Sequence, residues 1–268
     1  MVEEDMSNMN FQVSQDERPL ARKVFSLQVR IVGKLNDVHI FIQQAVPLLE
    51  AGRSKFEVST HKKNRRYYVP VVGRTKFARR KDKEVKAIYD RFITRELYEN
   101  LIVTAVSQFE SFVFDVLRLI ITEYPQKLTL SIKGVETNRE VPLEVLLRSD
   151  NLKDVINEVI DKRLNTISYA PPKAYLEYLS HIVGVETTDP AFLNFIEIKA
   201  TRDLIVHNSC IINEVYLSKV GDRKRGEIGE TVIIDASYFD HCIATLKRVS
   251  GIIKREVEKN FPVHTDGS

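Results

Sequence analysis

Within eight residues, Thr201-Arg202-Asp203-Leu204-Ile205-Val206-His207-Asn208, the chain places an arginine, a carboxylate, an imidazole and an amide in an otherwise apolar stretch. Burying such groups is costly unless they are paired or used, and no other stretch of the sequence reads as equally costly. A histidine titrates near neutrality, so it can take a proton from a hydroxyl or give one to a leaving oxygen. A guanidinium can hold a phosphate through two parallel hydrogen bonds. Together they suit cleavage of RNA through its own 2′-hydroxyl, with Arg202 on the phosphate, His207 as general acid/base and Asp203 orienting His207. Such chemistry needs neither metal nor cofactor. Asn208 is a further candidate phosphate contact, with a C-terminal helix cap as its other reading.

The element that must position these groups is a helix. Asp189 as N-cap and Pro190 at the first helical position open it, and it should run to about Asn208. At about 100° per residue, Phe192, Ile196, Ala200, Asp203 and His207 fall on one stripe, with Ile198 and Ile205 opposite, so the helix is apolar nearly all round and should be central. Asp203 and His207 share a face. Arg202 points about 140° away from His207, so one copy of the helix brings the pair together poorly. Two copies about a two-fold axis would let each arginine reach the other chain's histidine, and the spacing therefore predicts a homodimer with a composite cleft.

Elsewhere the 3/4 spacing of apolar residues predicts more helices. One covers Arg18 to Ala51, with Pro47 kinking or ending it early and Gly52 as its stop. A second starts at Asp82, breaks or bends near Thr94 and ends at Pro125. Leu128, Leu130 and Ile132 suggest a short strand, and Pro142 to Arg148 one or two helical turns. Asp150 should cap a helix through Leu164, and Pro171 or Pro172 should open another that ends at Gly184. Val215-Tyr-Leu and Thr231-Val-Ile-Ile read as two β-rich runs about a glycine-rich loop, before a last helix capped by Asp235 or Ser237. Ten glycines, nine prolines and 43% apolar residues in a chain of 268 agree with an all-α class.

The formal net charge of +3 is unevenly spread. Between Gly52 and Lys81 stand eleven Lys or Arg against one acid, Glu57, which makes that segment +10 and the remainder −7. Its tyrosines could stack on bases, so Lys62, Lys63, Arg65, Arg66, Tyr67, Arg74, Arg79 and Arg80 are candidate nucleic-acid contacts. Val69-Pro-Val-Val-Gly73 makes this a partly β loop rather than helix. Cys210 and Cys242 lack any repeated Cys/His spacing for zinc and read as core thiols in a reducing compartment. The polar first fifteen residues contain no signal-peptide or anchor pattern, and no apolar run approaches the roughly 18 residues of a membrane span. The expectation is a cytoplasmic protein without a membrane partner.

Arg202-Asp203-Leu204-Ile205-Val206-His207 resembles the Arg-x(4 to 6)-His motif of the HEPN superfamily, polar second residue included. Val103-Thr-Ala-Val-Ser-Gln-Phe-Glu-Ser-Phe-Val-Phe-Asp-Val-Leu117 is similar to the opening helix of RiboL-PSP-like HEPN domains, and Asn213-Glu-Val-Tyr216 with the closing amphipathic helix is similar to their end. The resemblance covers about residues 97–259. It implies a helical bundle that dimerises around the motif helix and, in many members, a metal-independent endoribonuclease of toxin, abortive-infection or antiviral systems that leaves a 2′,3′-cyclic phosphate. It also implies RNA as substrate, an antitoxin or defence-system protein as partner, and Arg202 and His207 as the catalytic pair. The expected organisation is a disordered N-terminus (1–17), an N-terminal helix and basic loop (18–81), a HEPN-like helical domain with small β-rich insertions (82–260) and a tail (261–268). The competing expectations are a non-catalytic HEPN-like module that dimerises or binds a partner through the same helix, and a nucleic-acid sensor serving a separate effector.

Overall fold

The computed structural model describes residues 19–133, 135 and 140–262; the segment expected to be disordered and most of the tail lie outside them. Among the described residues there are nine α-helices and one two-stranded sheet, so the chain is all-α with a small β addition. The helices are α1 (Leu20–Glu57), α2 (Asp82–Arg91), α3 (Leu97–Glu123), α4 (Leu143–Arg148), α5 (Leu152–Ser168), α6 (Pro172–Val183), α7 (Pro190–His207), α8 (Glu214–Val220) and α9 (Ala236–Asn260). The strands are β1 (Arg65–Val71) and β2 (Arg74–Arg80). The chain divides into two compact units, with boundaries inside α1, α3 and α9 and between α6 and α7.

One unit takes in residues up to Arg30, Phe112–Glu186 and residues from Gly251 on. Its core draws Val116, Ile120 and Ile121 from α3, Ile160, Leu164 and Ile167 from α5, Tyr178, Leu179 and Ile182 from α6, and Ile253 and Val257 from α9. Pro172 opens α6 and Gly184 ends it with φ +86°, as the sequence indicates. The cap of α5 is Asn151, whose side chain accepts from the Asp154 amide at 3.0 Å, rather than Asp150. The expected strand at Leu128 to Ile132 does not form. Residues Pro125–Thr129 make a 3-10 turn, and the Leu130 carbonyl accepts a 2.7 Å bond from buried Arg163, whose guanidinium lies 5.1 Å over the Tyr178 ring.

The other unit comprises Ile31–Ser111 and Thr187–Ser250. Its core is Leu35 and Ile42 of α1, Ile102, Val106 and Phe109 of α3, Phe192, Phe195 and Ile198 of α7, and Phe239 and Leu246 of α9. Phe109 and Phe195 meet edge-on at 5.0 Å. α1 does not end at Pro47 and continues past the stop expected at Gly52 to Glu57. Pro47 removes only one N–H from a long ladder. Gly52 acts by size, since a Cβ there would lie 2.9 Å from the Tyr89 ring of α2.

The irregularity near Thr94 takes the form of a π-turn, Phe92–Glu96, between α2 and α3. It absorbs a five-residue step in the buried series, from Ile93 to Tyr98, which a regular helix would send to a different face. The continuous run Asp82–Glu123 is the one helix among the described residues long and apolar enough to cross a membrane. Much of its apolar surface, from Ile102 to Ile121, is buried within the protein.

Candidate functional site

The focal helix forms where the sequence places it: the Asp189 carboxylate accepts from the Ala191 amide at 2.8 Å, Pro190 follows, and the last helical residue is His207. Its first half is buried on several sides, through Phe192, Phe195, Ile196 and Ile198. The most deeply buried charge on it is not in the motif. Glu197 is only 5% exposed and accepts hydroxyl bonds from Thr201 (2.7 Å) and Tyr216 (3.1 Å) on one oxygen and from Tyr238 (2.9 Å) on the other. This cluster fastens α7 to α8 and α9. Burial, with the nearby carboxylate adding to it, pushes the Tyr216 phenol up to about 12 and Tyr238 well above its ordinary value, so both remain donors. The Arg225 guanidinium covers the Tyr238 ring at 3.4 Å. The requirement for Tyr216 at this cluster explains why the β-prone Val215-Tyr-Leu run lies in α8, started by an Asn213 cap, instead of in a hairpin. Only an isolated bridge, Ile211 to Thr231, remains of the expected β pairing.

At the C-terminal half of α7 the motif residues separate. Arg202 is half-buried and donates to Glu110 of α3 at 2.5 Å, while its other terminal nitrogen lies 3.2 Å from Asp203. Lys199 pairs with the second Glu110 oxygen, and Lys219 of α8 donates to Asp203 at 2.9 Å. The result is an alternating row, Lys199, Glu110, Arg202, Asp203, Lys219, of three cations and two carboxylates. The Arg202 Nε is buried and has no hydrogen-bond partner. Asp203 therefore does not orient His207 in a single chain, because Arg202 and Lys219 occupy its oxygens. The histidine stands exposed at the helix end, with no hydrogen bond or ion pair among the described residues.

Asn208 acts as a cap and turn residue. Its amide N–H donates to the Leu204 carbonyl at 2.9 Å, and its side chain donates to the Ile211 carbonyl at 2.5 Å. The next two residues, Ser209 (φ 50°) and Cys210 (φ 64°), are both left-handed, and the Ile211 N–H closes the turn on the Asn208 carbonyl at 2.9 Å. This backbone is ordinarily left to glycine or asparagine. It aims the buried Cys210 thiol at Glu99, 3.2 Å away, and burial followed by that carboxylate pushes the thiol up to about 12. Because Ser209 is exposed, Ser209→Gly should relieve strain and raise stability by about 1 kcal/mol in urea unfolding. A loss of stability would mean that the hydroxyl does more than occupy the turn.

The basic segment folds into an exposed antiparallel ribbon, β1 paired with β2, turned at Val72 and Gly73 (φ +74°). Lys62, Lys63, Arg66, Arg74, Arg79 and Arg80 are all exposed, and Arg66 faces Arg79 directly across the strands, as Arg65 faces Arg80. Tyr67 lies opposite Ala78. Arg65, also exposed, ties the ribbon to its base. It grips buried Asp82 through two bonds (2.6 and 3.0 Å) and lies 5.7 Å from the Phe56 ring centre, and Ser59 also bonds Asp82.

These contacts, Arg65 first and Ser59 second, hold the Asp82 carboxyl below its usual range. A carboxyl whose folded value is depressed stabilises the folded form above its unfolded value, and that contribution is lost as pH falls through the folded one. The ribbon should accordingly stay anchored at neutral pH and loosen only below about pH 4. Asp82→Asn should show the loosened NMR resonances of residues 65–80 already at pH 7. An unchanged spectrum would deny the anchor.

Sequence reasoning missed Glu110 and Glu197. Glu110 stands in the stretch quoted for the family resemblance but has no local partner, and Glu197 carries only the weak signal of a carboxylate four residues before a threonine. No family model, no characterised protein and no solved structure matches this chain.

Proposed function

We propose that the chain is a metal-independent endoribonuclease of the HEPN type, acting as a homodimer in the cytoplasm, as an effector of a toxin-antitoxin or antiviral defence system. The observation that carries this reading is the state of His207: an exposed imidazole with no partner of its own, at the end of the helix that carries Arg202. In the composite cleft, one His207 takes the proton of the 2′-hydroxyl, and the new 2′-oxygen to phosphorus bond forms as the bond to the 5′-oxygen breaks. Water protonates the leaving 5′-oxygen, giving a 2′,3′-cyclic phosphate and a 5′-hydroxyl, and the imidazolium then returns its proton to the hydroxide left behind. Arg202 holds the non-bridging oxygens and balances the charge that builds on them. Glu110 and Asp203 keep the guanidinium extended, and Lys199 and Lys219 leave the row with one excess positive charge to attract phosphate. The ribbon supplies affinity for RNA.

A second reading has its own observation. Arg202 is already neutralised by Glu110 and Asp203, as in a structural ion-pair network, so the same helix could serve a non-catalytic dimerisation or partner-binding module. Incubating RNA with the protein in EDTA separates the two. Cleavage by wild type but not by His207→Ala or Arg202→Ala supports the enzyme, and equal behaviour of all three removes it. The dimer is checked by light scattering at the working concentration, where a monomeric mass would contradict the composite cleft.

A further inference from the structure

The two faces of the basic ribbon carry different chemistry. Side chains alternate along a strand, so Arg65, Tyr67 and Val69 share one face with Arg80, Ala78 and Lys76, while Arg66, Tyr68 and Pro70 share the other with Arg79, Phe77 and Thr75. The first face includes the anchor to Asp82. The residues of the second face are exposed among the described residues. On it Tyr68 and Phe77 meet at 4.5 Å between centroids, tilted 45° to one another, although they are 75% and 48% exposed, and Arg66 lies 5.9 Å from the Phe77 ring centre. Two aromatic rings held together in solvent, beside two opposed arginines, contribute little to folding. Like charges placed directly across strands oppose it.

We infer that this second face is a binding site for an unpaired polynucleotide strand. One base stacks on the Tyr68–Phe77 platform, and the phosphates beside it are held by Arg66 and Arg79. Successive cross-strand pairs on one face are about 7 Å apart along the ribbon, a step that suits a strand whose bases are separated from one another. A duplex hides its base faces within its own stack and offers only edges and phosphates, so it cannot use the platform. Bound phosphates also relieve the repulsion between Arg66 and Arg79. The inference rests on the ribonuclease reading only for its choice of RNA; the geometry itself asks for a flat base and an adjacent phosphate.

The test uses full-length protein carrying His207→Ala, so that no RNA is cut, and fluorescence anisotropy with a labelled single-stranded RNA, the same RNA annealed to its complement, and single-stranded DNA of the same sequence. The single strand should bind at least about tenfold more tightly than the duplex. Tyr68→Leu and Phe77→Leu keep an apolar contact between the strands but remove a flat ring, and each should weaken single-strand binding by about tenfold while leaving duplex binding unchanged. Phe77→Trp should preserve it, and Tyr169→Leu, which alters an 84% exposed tyrosine just after α5, should change it less than about twofold. Equal binding of single strand and duplex, or unchanged binding by the leucine variants, overturns the inference. Equal binding of RNA and DNA strands supports the platform and shows that it ignores the 2′-hydroxyl. If the platform behaves as stated but wild type fails to cut RNA in EDTA, the ribonuclease reading falls alone. If wild type cuts RNA and the leucine variants bind normally, only the platform falls.

Discussion

Replacing His207 by alanine should slow RNA cleavage in EDTA by about 10²–10⁴-fold, the span expected when a general acid/base is removed. Its exposure makes the change safe for the fold, so the loss should appear in the rate and not in the unfolding midpoint. Arg202→Ala should lose a comparable factor, and Arg202→Lys should recover only part of it, because an ammonium keeps the charge but not the planar fork that holds two phosphate oxygens. The more incisive measurement mixes the two inactive alanine variants. If the arginine of one chain serves the histidine of the other, half of the dimers formed from an equal mixture are mixed, each with one complete pair. Activity should therefore return to about a quarter of wild type. A mixture as inactive as its parents would mean that both groups come from one chain, and Arg202 would then have to leave Glu110 and reach around α7.

The largest effect on stability is expected at Glu197. Glu197→Ala strands the hydroxyls of Thr201, Tyr216 and Tyr238 in the core of the helical unit, and should cost on the order of 3–5 kcal/mol in urea unfolding. Glu197→Gln keeps the shape and one accepting oxygen, so it should lose less. The phenols should also become reachable by solvent, giving a tyrosine absorbance titration closer to the ordinary range than that of wild type. A loss below about 1 kcal/mol in Glu197→Ala would show that water replaces the carboxylate, and that the cluster is not the fastening of α7 to α8 and α9.

Elements whose signals are local were legible from the sequence. The Asp189-Pro190 start, the Pro172 start and Gly184 stop of α6, and the Asp235 cap, which accepts from the Tyr238 amide at 2.9 Å, each depend on atoms within a few residues of one another. The all-α class followed from the spacing of apolar residues for the same reason. What could not be read depends on partners far along the chain. Gly52 resembles a helix stop until Tyr89 is seen against it, and Val215-Tyr-Leu resembles a strand until Glu197 is seen to take the Tyr216 hydroxyl. At the candidate site the sequence supplied Arg202, His207 and the basic segment. It paired Asp203 with the wrong neighbour, because a four-residue spacing on a helix places two side chains on one face without saying what else competes for them. Arg202, itself held by Glu110 ninety-two residues away, and Lys219 win that competition for Asp203.

The ribbon has another consequence. Among the described residues β1 and β2 pair only with each other, so each leaves one edge of backbone amides and carbonyls without a strand partner. Such edges are templates for a second chain. The arginines and lysines along them keep copies of the protein apart, and any polyanion that neutralises them removes that protection while it binds. Solubility should therefore pass through a minimum as RNA is titrated in, and recover once nucleic acid is in excess and the complexes carry net negative charge.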